Sequence, residues 1–182
     1  MFFSDNYIVS TKLTYDVFRL KSDFEKIRKS IDRWAWFFNG KRVILYSLHT
    51  TEETVGPFNF SSKRPADIKN YIQTNLCIGI FKEILDELPI HNVQIVIHPP
   101  YFEIPRHRDT VKNHAYRIHI PITTNDGVRF SSKKDNLSLQ VGRAYLLDTY
   151  YPHWTINGNT DRIHIIGNVA PENLHFFKDY IQ

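Results

Sequence analysis

The sequence predicts a mainly β protein, a sandwich or barrel, with flanking helices in its N-terminal part. Short alternating segments separated by turn residues follow one another from residue 93 onward, which is typical of such folds. The composition agrees, because 13 Phe and 10 Tyr stand against only 7 Gly. Both segments with helical periodicity lie before residue 92. We predict one domain, residues 1–182, with a helical and strand scaffold at 1–92 and a barrel core that carries the site at 93–170.

The N-terminal scaffold is predicted to contain two helices and a strand. Residues 1–21 are expected to be extended or loop, and the first helix is expected to begin at Ser22, because Ser22 and Glu25 have the spacing of a capping box. A strand over 43–48 follows the Asn39-Gly40 turn signal. The second helix is expected to end at Pro89. The apolar faces of the two helices are Phe24, Ile27, Ile31 and Trp34, and Leu76, Ile80, Ile84 and Leu88.

The C-terminal half carries a series of short strand patterns. Apolar and polar residues alternate in most of them, and Gly, Pro or Asn residues separate neighbouring segments. No internal repeat or linker divides this half of the chain. The predicted strands span residues 93–98, 117–122, 137–141, 144–148, 153–157 and 162–169.

Composition excludes several functional classes. The net charge of +4 is mild and its Lys and Arg residues are scattered, so a nucleic-acid partner is not expected. Cys77 is the one cysteine, which rules out a disulfide framework within the chain and favours a reducing, cytoplasmic setting. No apolar run of eighteen residues is present and the first residues do not have the pattern of a signal peptide, so we expect no membrane association.

A candidate metal site begins with His107 and Asp109. Two residues apart on an extended segment, their side chains point to the same side, where they could hold adjacent positions on a metal ion. His153, at the start of a predicted strand, is the best third ligand. A set of two histidines and one carboxylate suits non-heme Fe(II) and leaves coordination positions open. Alone, a His-x-Asp pattern is a weak signal and is more often incidental.

A predicted strand nine residues after His153 carries Arg162 and His164 on one face. A buried arginine is costly unless an anion pairs with it, and its planar fork suits a carboxylate. The partner could be a bound carboxylate or an internal acid such as Asp148. Arg117 and His119 likewise share one face of a strand, which could line a polar lumen or could face water on an edge strand.

These residues together resemble the aspartyl/asparaginyl β-hydroxylase family of Fe(II)- and 2-oxoglutarate-dependent oxygenases. The resemblance runs from about Ile104 to Ile166, a third of the chain, and extends to the bacterial free-proline hydroxylases. It implies a double-stranded β-helix, the jelly-roll or cupin barrel. The matching segments are Ile-Pro-Arg-His-Arg-Asp, Arg-Ile-His-Ile-Pro-Ile, Gly-Arg-Ala-Tyr-Leu-Leu-Asp and Asp-Arg-Ile-His-Ile-Ile, together with His153.

The resemblance also implies the roles of the site residues. His107, Asp109 and His153 would bind Fe(II) and form the catalytic centre. Arg162 would pair with the distal carboxylate of the cosubstrate 2-oxoglutarate, and His119 would assist in binding it. The reaction would consume O₂ and 2-oxoglutarate, release succinate and CO₂, and hydroxylate an unactivated C–H bond of an amino acid or of a peptide or protein side chain.

The substrate is expected to be a small molecule or peptide that bears a carboxylate, and a lipid acyl chain stays open as an alternative. The resemblance implies that Arg117 contacts cosubstrate or substrate. Tyr151 and Trp154 flank His153 and could line the substrate mouth or could equally be core aromatics. Some members of the family that act on aspartate carry a further arginine at the position of Ala115, so recognition of an aspartyl carboxylate is not expected here.

Three other functions compete with this interpretation. His107-Arg108-Asp109 also occurs in the kinase catalytic loop, but Asn113 follows the aspartate at four residues instead of five, and the Gly-rich loop is missing. A non-catalytic cupin-type binding module would keep the barrel, yet it would not need three ligands with open positions. A nucleic-acid-binding β domain would require exposed aromatics interleaved with basic residues, and the sequence shows no such stripe.

Overall fold

A computed structural model describes residues 7–30, 33–50, 71–109, 116–132 and 135–181. Within these ranges, five strands precede the second helix, and they are β1 (Ile8–Thr14), β2 (Trp34–Phe38), β3 (Lys41–Ser47), β4 (His49–Thr50) and β5 (Ile72–Gln73). Eight strands follow it: β6 (Ile90–His98), β7 (Glu103–His107), β8 (Tyr116–Thr123), β9 (Arg129–Ser132), β10 (Asp135–Leu137), β11 (Arg143–Asp148), β12 (His153–Ile156) and β13 (Arg162–Val169). The helices are α1 (Val17–Arg28), α2 (Gly79–Glu87) and a C-terminal 3₁₀ helix (Pro171–Tyr180).

The strands form two facing antiparallel sheets. The larger sheet has the order β1-β11-β8-β13-β6-β3-β2, and the smaller one has the order β10-β9-β12-β7. A two-stranded ladder of β4 and β5 stands apart from both. From β6 to β13 the chain alternates between the two sheets, except that β9 and β10 are neighbours in the smaller one, and this is the double-stranded β-helix, or jelly-roll, arrangement. The predicted fold class, mainly β with N-terminal helices, is therefore confirmed.

Strand alternation gives the large sheet one apolar face and one polar face. On β8, Ile118 and Ile120 are fully buried in the main core, together with residues of both α-helices such as Phe24 and Ile84. The intervening residue His119 faces the space between the two sheets. Helices α1 and α2 thus cover the outer face of the sheet, and this leaves its inner face to build a site.

The first helix begins five residues before the predicted start at Ser22. Asp16 is the N-cap, and its carboxylate accepts hydrogen bonds from the amides of Phe18 and Arg19. This arrangement lets Leu20 enter the core, where it is fully buried. The helix also ends earlier than predicted, at Arg28, and Trp34 belongs to β2 instead. Ile31 lies outside the described residues.

Several predicted boundaries change in a similar way. The segment 1–21 is not only extended or loop, since it contains β1 and the first turn of α1. Of the predicted strand at 137–141, only residue 137 belongs to a strand, as the last residue of β10. The chain turns after it, and the amide of Gln140 donates to the hydroxyl of Tyr145 at 2.8 Å. Helix α2 begins at Gly79, so Leu76 precedes it, and it ends before Pro89 as predicted. The segment 49–64 is likewise predicted to be loop; β4 occupies its first two residues, and residues 51–64 lie outside the described ranges.

Neither α-helix in the described ranges could cross a membrane, since α1 has 12 residues and α2 has 9.

Candidate functional site

Two histidines and an aspartate converge where β7 meets β12 in the smaller sheet. His107 and His153 are cross-strand partners, and their ring centroids are 4.3 Å apart. Asp109 follows β7, where its amide donates to the carbonyl of Thr149 at 3.1 Å. The ligand atoms of these three side chains all lie within 4.8 Å of one another. The structure therefore brings together the three predicted metal ligands.

Main-chain carbonyls orient both imidazole rings. The Nδ1 atom of His107 lies 2.9 Å from the carbonyl oxygen of Pro105, and that of His153 lies 3.0 Å from the carbonyl oxygen of Tyr151. A carbonyl oxygen can only accept, so each Nδ1 carries the proton and donates. The Nε2 atoms then offer their lone pairs, which is the tautomer that a metal ligand requires.

The carboxylate of Asp109 is held between two basic groups. Its Oδ2 is 2.7 Å from Nη2 of Arg117, and its Oδ1 is 3.5 Å from Nε2 of His107. Burial would raise the pKa of this carboxyl, but His107 and Arg117 outweigh it and lower the pKa to about 2. Asp109 is therefore ionised at any physiological pH, as a ligand to a cation must be.

The donor set fits a divalent transition metal. Two imidazoles and one carboxylate, all reached from a single short pair of strands, match the facial set of non-heme Fe(II) sites. Burial lowers the pKa of His153, which keeps that ring in its neutral form. No other group of three or more His, Cys, Asp or Glu residues in the described part of the chain converges in this way.

The three residues open into a cavity of about 430 Å³ between the two sheets. One part of its wall is polar and is built from His98, His107, Asp109, Arg117, His119, His153, Thr155, Arg162 and His164. The other part is apolar and is built from Trp36, Phe38, Val43, Leu45, Val96, Ile104, Pro105, Phe130, Trp154 and Ile166. The volume is within the usual range for a small-molecule site.

Arg162 lies deep in the polar wall of this cavity. It is 4% exposed, its Nη1 donates to the hydroxyl of Thr155 at 2.8 Å, and its Nη2 donates to Nδ1 of His98 at 2.7 Å. The Nε atom has no hydrogen-bond partner. Burial lowers the pKa of Arg162 to about 10, so the guanidinium still carries its charge at neutral pH. Asp148 is not its partner, because that carboxylate accepts from the amide of Tyr150.

Three buried histidines surround Arg162 without adding charge. Burial and the charge of Arg162 lower the pKa values of His98 and His164 well below the usual range, and burial together with the charge of Arg117 does so for His119. His119 and His164 share a hydrogen bond of 3.3 Å between their Nδ1 atoms. Nε2 of His164 is buried without a hydrogen-bond partner. A lone buried cation among neutral groups calls for an anion, and a carboxylate would supply it.

Sequence reasoning missed His98. The strand pattern of residues 93–98 was recognised, but the histidine at its end was given no role. Its function depends on the pairing of β6 with β13, which sets His98 beside Arg162. The available signal was the alternation itself, because it sets His98, like Gln94, on the face of Val96 and opposite the apolar face of Ile95 and Ile97.

The predicted cosubstrate and substrate residues lie in different surroundings. Arg117 and His119 line the cavity, so their strand does not turn this face to water. Trp154 also lines the cavity, whereas Tyr151 stacks on Tyr7 at 3.5 Å between ring centroids. Tyr151 is not among the residues that line the cavity. Ala115 lies outside the described residues.

The sequence matches the pattern of a known family. The family described as aspartyl/asparaginyl beta-hydroxylase matches residues 60–171, which is more than half of the chain and includes every predicted ligand. Among curated proteins, none matches the sequence.

Solved structures of oxygenases share the fold. An oxidoreductase of the 2OG-Fe(II) oxygenase family from Burkholderia pseudomallei has a TM-score of 0.62 and 12% identity, over 91% of this chain and 85% of its own. A prolyl-4-hydroxylase from Pseudomonas putida has a TM-score of 0.58 and 9% identity, over 91% and 94%. The viral collagen prolyl hydroxylase of Paramecium bursaria Chlorella virus-1, a complex with 2OG, has a TM-score of 0.51 and 9% identity, over 90% and 96%.

Proposed function

Because the chain belongs to the aspartyl/asparaginyl beta-hydroxylase family, and is thus an oxygenase as predicted, we propose that it hydroxylates an unactivated C–H bond of an amino acid or of a peptide or protein side chain. Fe(II) is the cofactor, O₂ and 2-oxoglutarate are the cosubstrates, and succinate and CO₂ are the co-products. The observation that carries the proposal is the convergence of His107, Asp109 and His153 in one cavity with the unneutralised cation Arg162.

Each polar residue has a defined task in this proposal. His107, Asp109 and His153 would hold Fe(II), which would activate O₂ for C–H hydroxylation with 2-oxoglutarate as the co-reductant. Arg162 binds the distal carboxylate of the cosubstrate, to which its Nε can still donate. His119 is neutral, lines the same wall, and takes part in cosubstrate binding. The two sheets limit the access of water to the reaction, since His119, His153 and Arg162 are buried between them.

The apolar wall is proposed to receive the reacting part of the substrate. The carboxylate and keto groups of the cosubstrate suit the polar residues of the cavity. The apolar residues Trp36, Val43 and Leu45 are then available to contact a hydrocarbon group of the substrate. Trp154 forms part of the same surface. A carboxylate elsewhere on the substrate stays a prediction. It depends on Arg117, whose Nε has no hydrogen-bond partner while its Nη2 is paired with Asp109.

Entry to the site involves the residues that follow Asp148. Tyr151 is 41% exposed, and the stack that it forms with Tyr7 links this turn to the segment preceding β1. The carbonyl of Tyr151 also orients His153. We propose that Tyr151 contacts substrate at the mouth, so that substrate contact and ligand orientation belong to one turn.

The proposed setting is reducing and cytoplasmic. Cys77 is buried, and burial raises the pKa of its thiol to about 11, so it remains a protonated apolar residue. A reducing environment would also keep the proposed iron in its Fe(II) form.

Anaerobic titration tests the proposal against the alternative of a cupin-type binding module. We expect Fe(II) and 2-oxoglutarate together, but neither alone, to give the weak visible charge-transfer band of the chelate. Metal-loaded protein that shows no band would rule out the oxygenase. Succinate release in air, measured with candidate amino acids and peptides, then identifies the substrate, because a binding module would release none with any of them.

A further inference from the structure

We propose that His98 and Thr155 are positioning residues that form a neutral cradle for Arg162, orienting its guanidinium toward a dicarboxylate without cancelling its charge. The inference rests on the proposed function, because it assigns the carboxylate-binding role to Arg162. Neither residue was predicted from the sequence, and neither is among the candidate metal ligands.

The contacts fix two edges of the guanidinium. Nη2 of Arg162 donates to Nδ1 of His98 at 2.7 Å, and Nη1 donates to Oγ1 of Thr155 at 2.8 Å. Since Nδ1 of His98 accepts, the ring carries its proton on Nε2. The hydroxyl of Thr155 in turn donates to the carbonyl of Arg129 at 3.2 Å, which leaves its lone pairs for the arginine. Two acceptors at fixed places remove most of the rotational freedom of the guanidinium.

His98 is itself held in place. Its ring stacks on Phe102 with centroids 4.7 Å apart and an angle of 20° between the planes. The ring of His164 meets it edge-on at 4.9 Å. His98 and Arg162 are register partners on β6 and β13, so the two strands bring their side chains together. His98 is 3% exposed, which leaves little space for another ring orientation.

Both acceptors of the cradle are neutral, and their neutrality preserves the positive charge of Arg162. Asp109 is the one acid that lines the described part of the cavity, and it is paired with Arg117. If a carboxylate oriented Arg162 instead of His98 and Thr155, the arginine would be neutralised and a bound anion would gain little from it. Neutral acceptors orient the guanidinium and leave its positive charge for the ligand.

Three substitutions separate geometry from charge. His98→Asn keeps a neutral acceptor, His98→Leu removes the acceptor, and His98→Asp keeps an acceptor but adds a negative charge. The measurement is the affinity of the Mn(II)-loaded protein for 2-oxoglutarate by calorimetry under argon. We expect His98→Asn to remain within about threefold of the wild type, His98→Leu to bind about tenfold more weakly, and His98→Asp to bind more weakly still.

Two controls make the result specific. Oxalate uses both of its carboxylates to chelate a metal ion and has no further carboxylate for Arg162, so its affinity should not change in any His98 variant. His91→Asn replaces another fully buried histidine of β6 that does not line the cavity, and it should leave the affinity for 2-oxoglutarate unchanged. The His91 variant also shows what loss of a buried histidine in this strand does to folding, which is followed by thermal unfolding.

The outcomes are distinct. Equal affinity of wild type, His98→Leu and His98→Asp for 2-oxoglutarate would overturn the cradle and leave the proposed function intact. Loss of oxalate and 2-oxoglutarate binding in parallel would also overturn it, because His98 would then support the metal site instead of Arg162. A wild-type protein that binds Mn(II) but not 2-oxoglutarate would overturn the proposed function together with the cradle.

Discussion

The carboxylate Oδ2 of Asp109 lies 2.7 Å from Nη2 of Arg117, while its Oδ1 lies 3.5 Å from Nε2 of His107. Each oxygen therefore has its own neighbour, and the arginine holds the carboxylate in an orientation that presents Oδ1 to His107. The same pair gives Arg117 a role at the metal site in addition to its predicted contact with cosubstrate or substrate.

Replacing Arg117 by Met should weaken metal binding. The variant keeps the length of the side chain but removes the charge that orients Asp109, and loss of such a partner typically lowers metal affinity about 10-fold to 100-fold. Fe(II) affinity can be measured by competition with a chromophoric chelator. Arg129→Met is the matched control, because that guanidinium donates to main-chain carbonyls at the surface. An unchanged affinity in Arg117→Met would show that Asp109 does not need its partner.

Asp109→Ala should lower the iron content of the purified protein. The substitution removes the only negative charge among the three candidate ligands, and two neutral imidazoles hold Fe(II) less tightly. Metal analysis after reconstitution and desalting gives the occupancy. Asp161→Ala serves as a control, since Asp161 is an exposed acid in the turn before β13. Iron content equal to that of the wild type would leave His107 and His153 as the only ligands.

Arg162→Ala should strongly weaken 2-oxoglutarate binding while iron content stays the same. The guanidinium lines the cavity but does not belong to the metal cluster, so its loss affects the cosubstrate alone. We expect the affinity for 2-oxoglutarate to fall by a factor on the order of 100, as for the loss of a buried charge-assisted hydrogen bond. The anaerobic visible band reports it. If iron is lost in the same proportion, Arg162 supports the fold and not the cosubstrate.

Gly79→Ala should destabilise the contact between α1 and α2. Gly79 has φ +52°, and an added Cβ would lie 2.1 Å from Oδ2 of Asp23, which accepts from the amide of Ile80 at the start of α2. Gly40→Ala is the matched control, since Gly40 has φ +73° with no atom within 4 Å of the added Cβ. Urea unfolding should show a loss of about 1 kcal/mol for the control and about 3 kcal/mol for Gly79→Ala. Equal losses would mean that Asp23 moves aside freely.

Acid should destabilise the fold below about pH 6.5. His98, His119 and His164 have folded-state pKa values well below the usual range, so above pH 6.5 they are neutral in both states. Below pH 6.5 these histidines bind protons in the unfolded chain but not in the folded chain. Each histidine therefore lowers the free energy of unfolding by up to about 1.4 kcal/mol for each unit by which the pH falls. The raised pKa of His107 opposes this effect, whereas the pKa of His153 is lowered by burial and adds to it.

Urea unfolding at pH 7.5, 6.5 and 5.5 measures this dependence. Burial lowers the pKa of His49 to about 4, so it adds to the same effect although it lies outside the cavity. His49→Gln should therefore make the free energy of unfolding depend less steeply on pH below pH 6.5, by about the contribution of one histidine. A free energy of unfolding that stays constant or rises between pH 6.5 and 5.5 would contradict the assignment of neutral buried histidines.

The metal face was predictable because it depends on local alternation and on fold class. His107 and Asp109 are two residues apart, and a jelly roll brings the start of β12, where His153 lies, beside the end of β7. The polar face of Arg117 and His119 followed from the same period of two. These rules need only the sequence of each strand and the expectation of two facing sheets.

Other features could not be predicted because they depend on contacts between residues that are far apart in the sequence. His98 and Arg162 are 64 residues apart, and only the register of β6 against β13 shows that they meet. Tyr151 was predicted at the substrate mouth, but its stacking partner Tyr7 comes from the other end of the chain. The start of α1 was also ambiguous, because both Asp16 and Ser22 are good N-cap residues, and burial of Leu20 in the core decides between them.

The direct pairing of His107 with His153 ties the metal site to the alignment of two short strands. A shift of β12 by one residue would turn His153 away and bring Trp154 to its place, so only one alignment of the small sheet can chelate an ion. A bound metal ion would then link β7 and β12, which pair over only a few residues. Removing it with a chelator should loosen the small sheet before the large one, a difference that amide hydrogen exchange along β7 and β12 can detect.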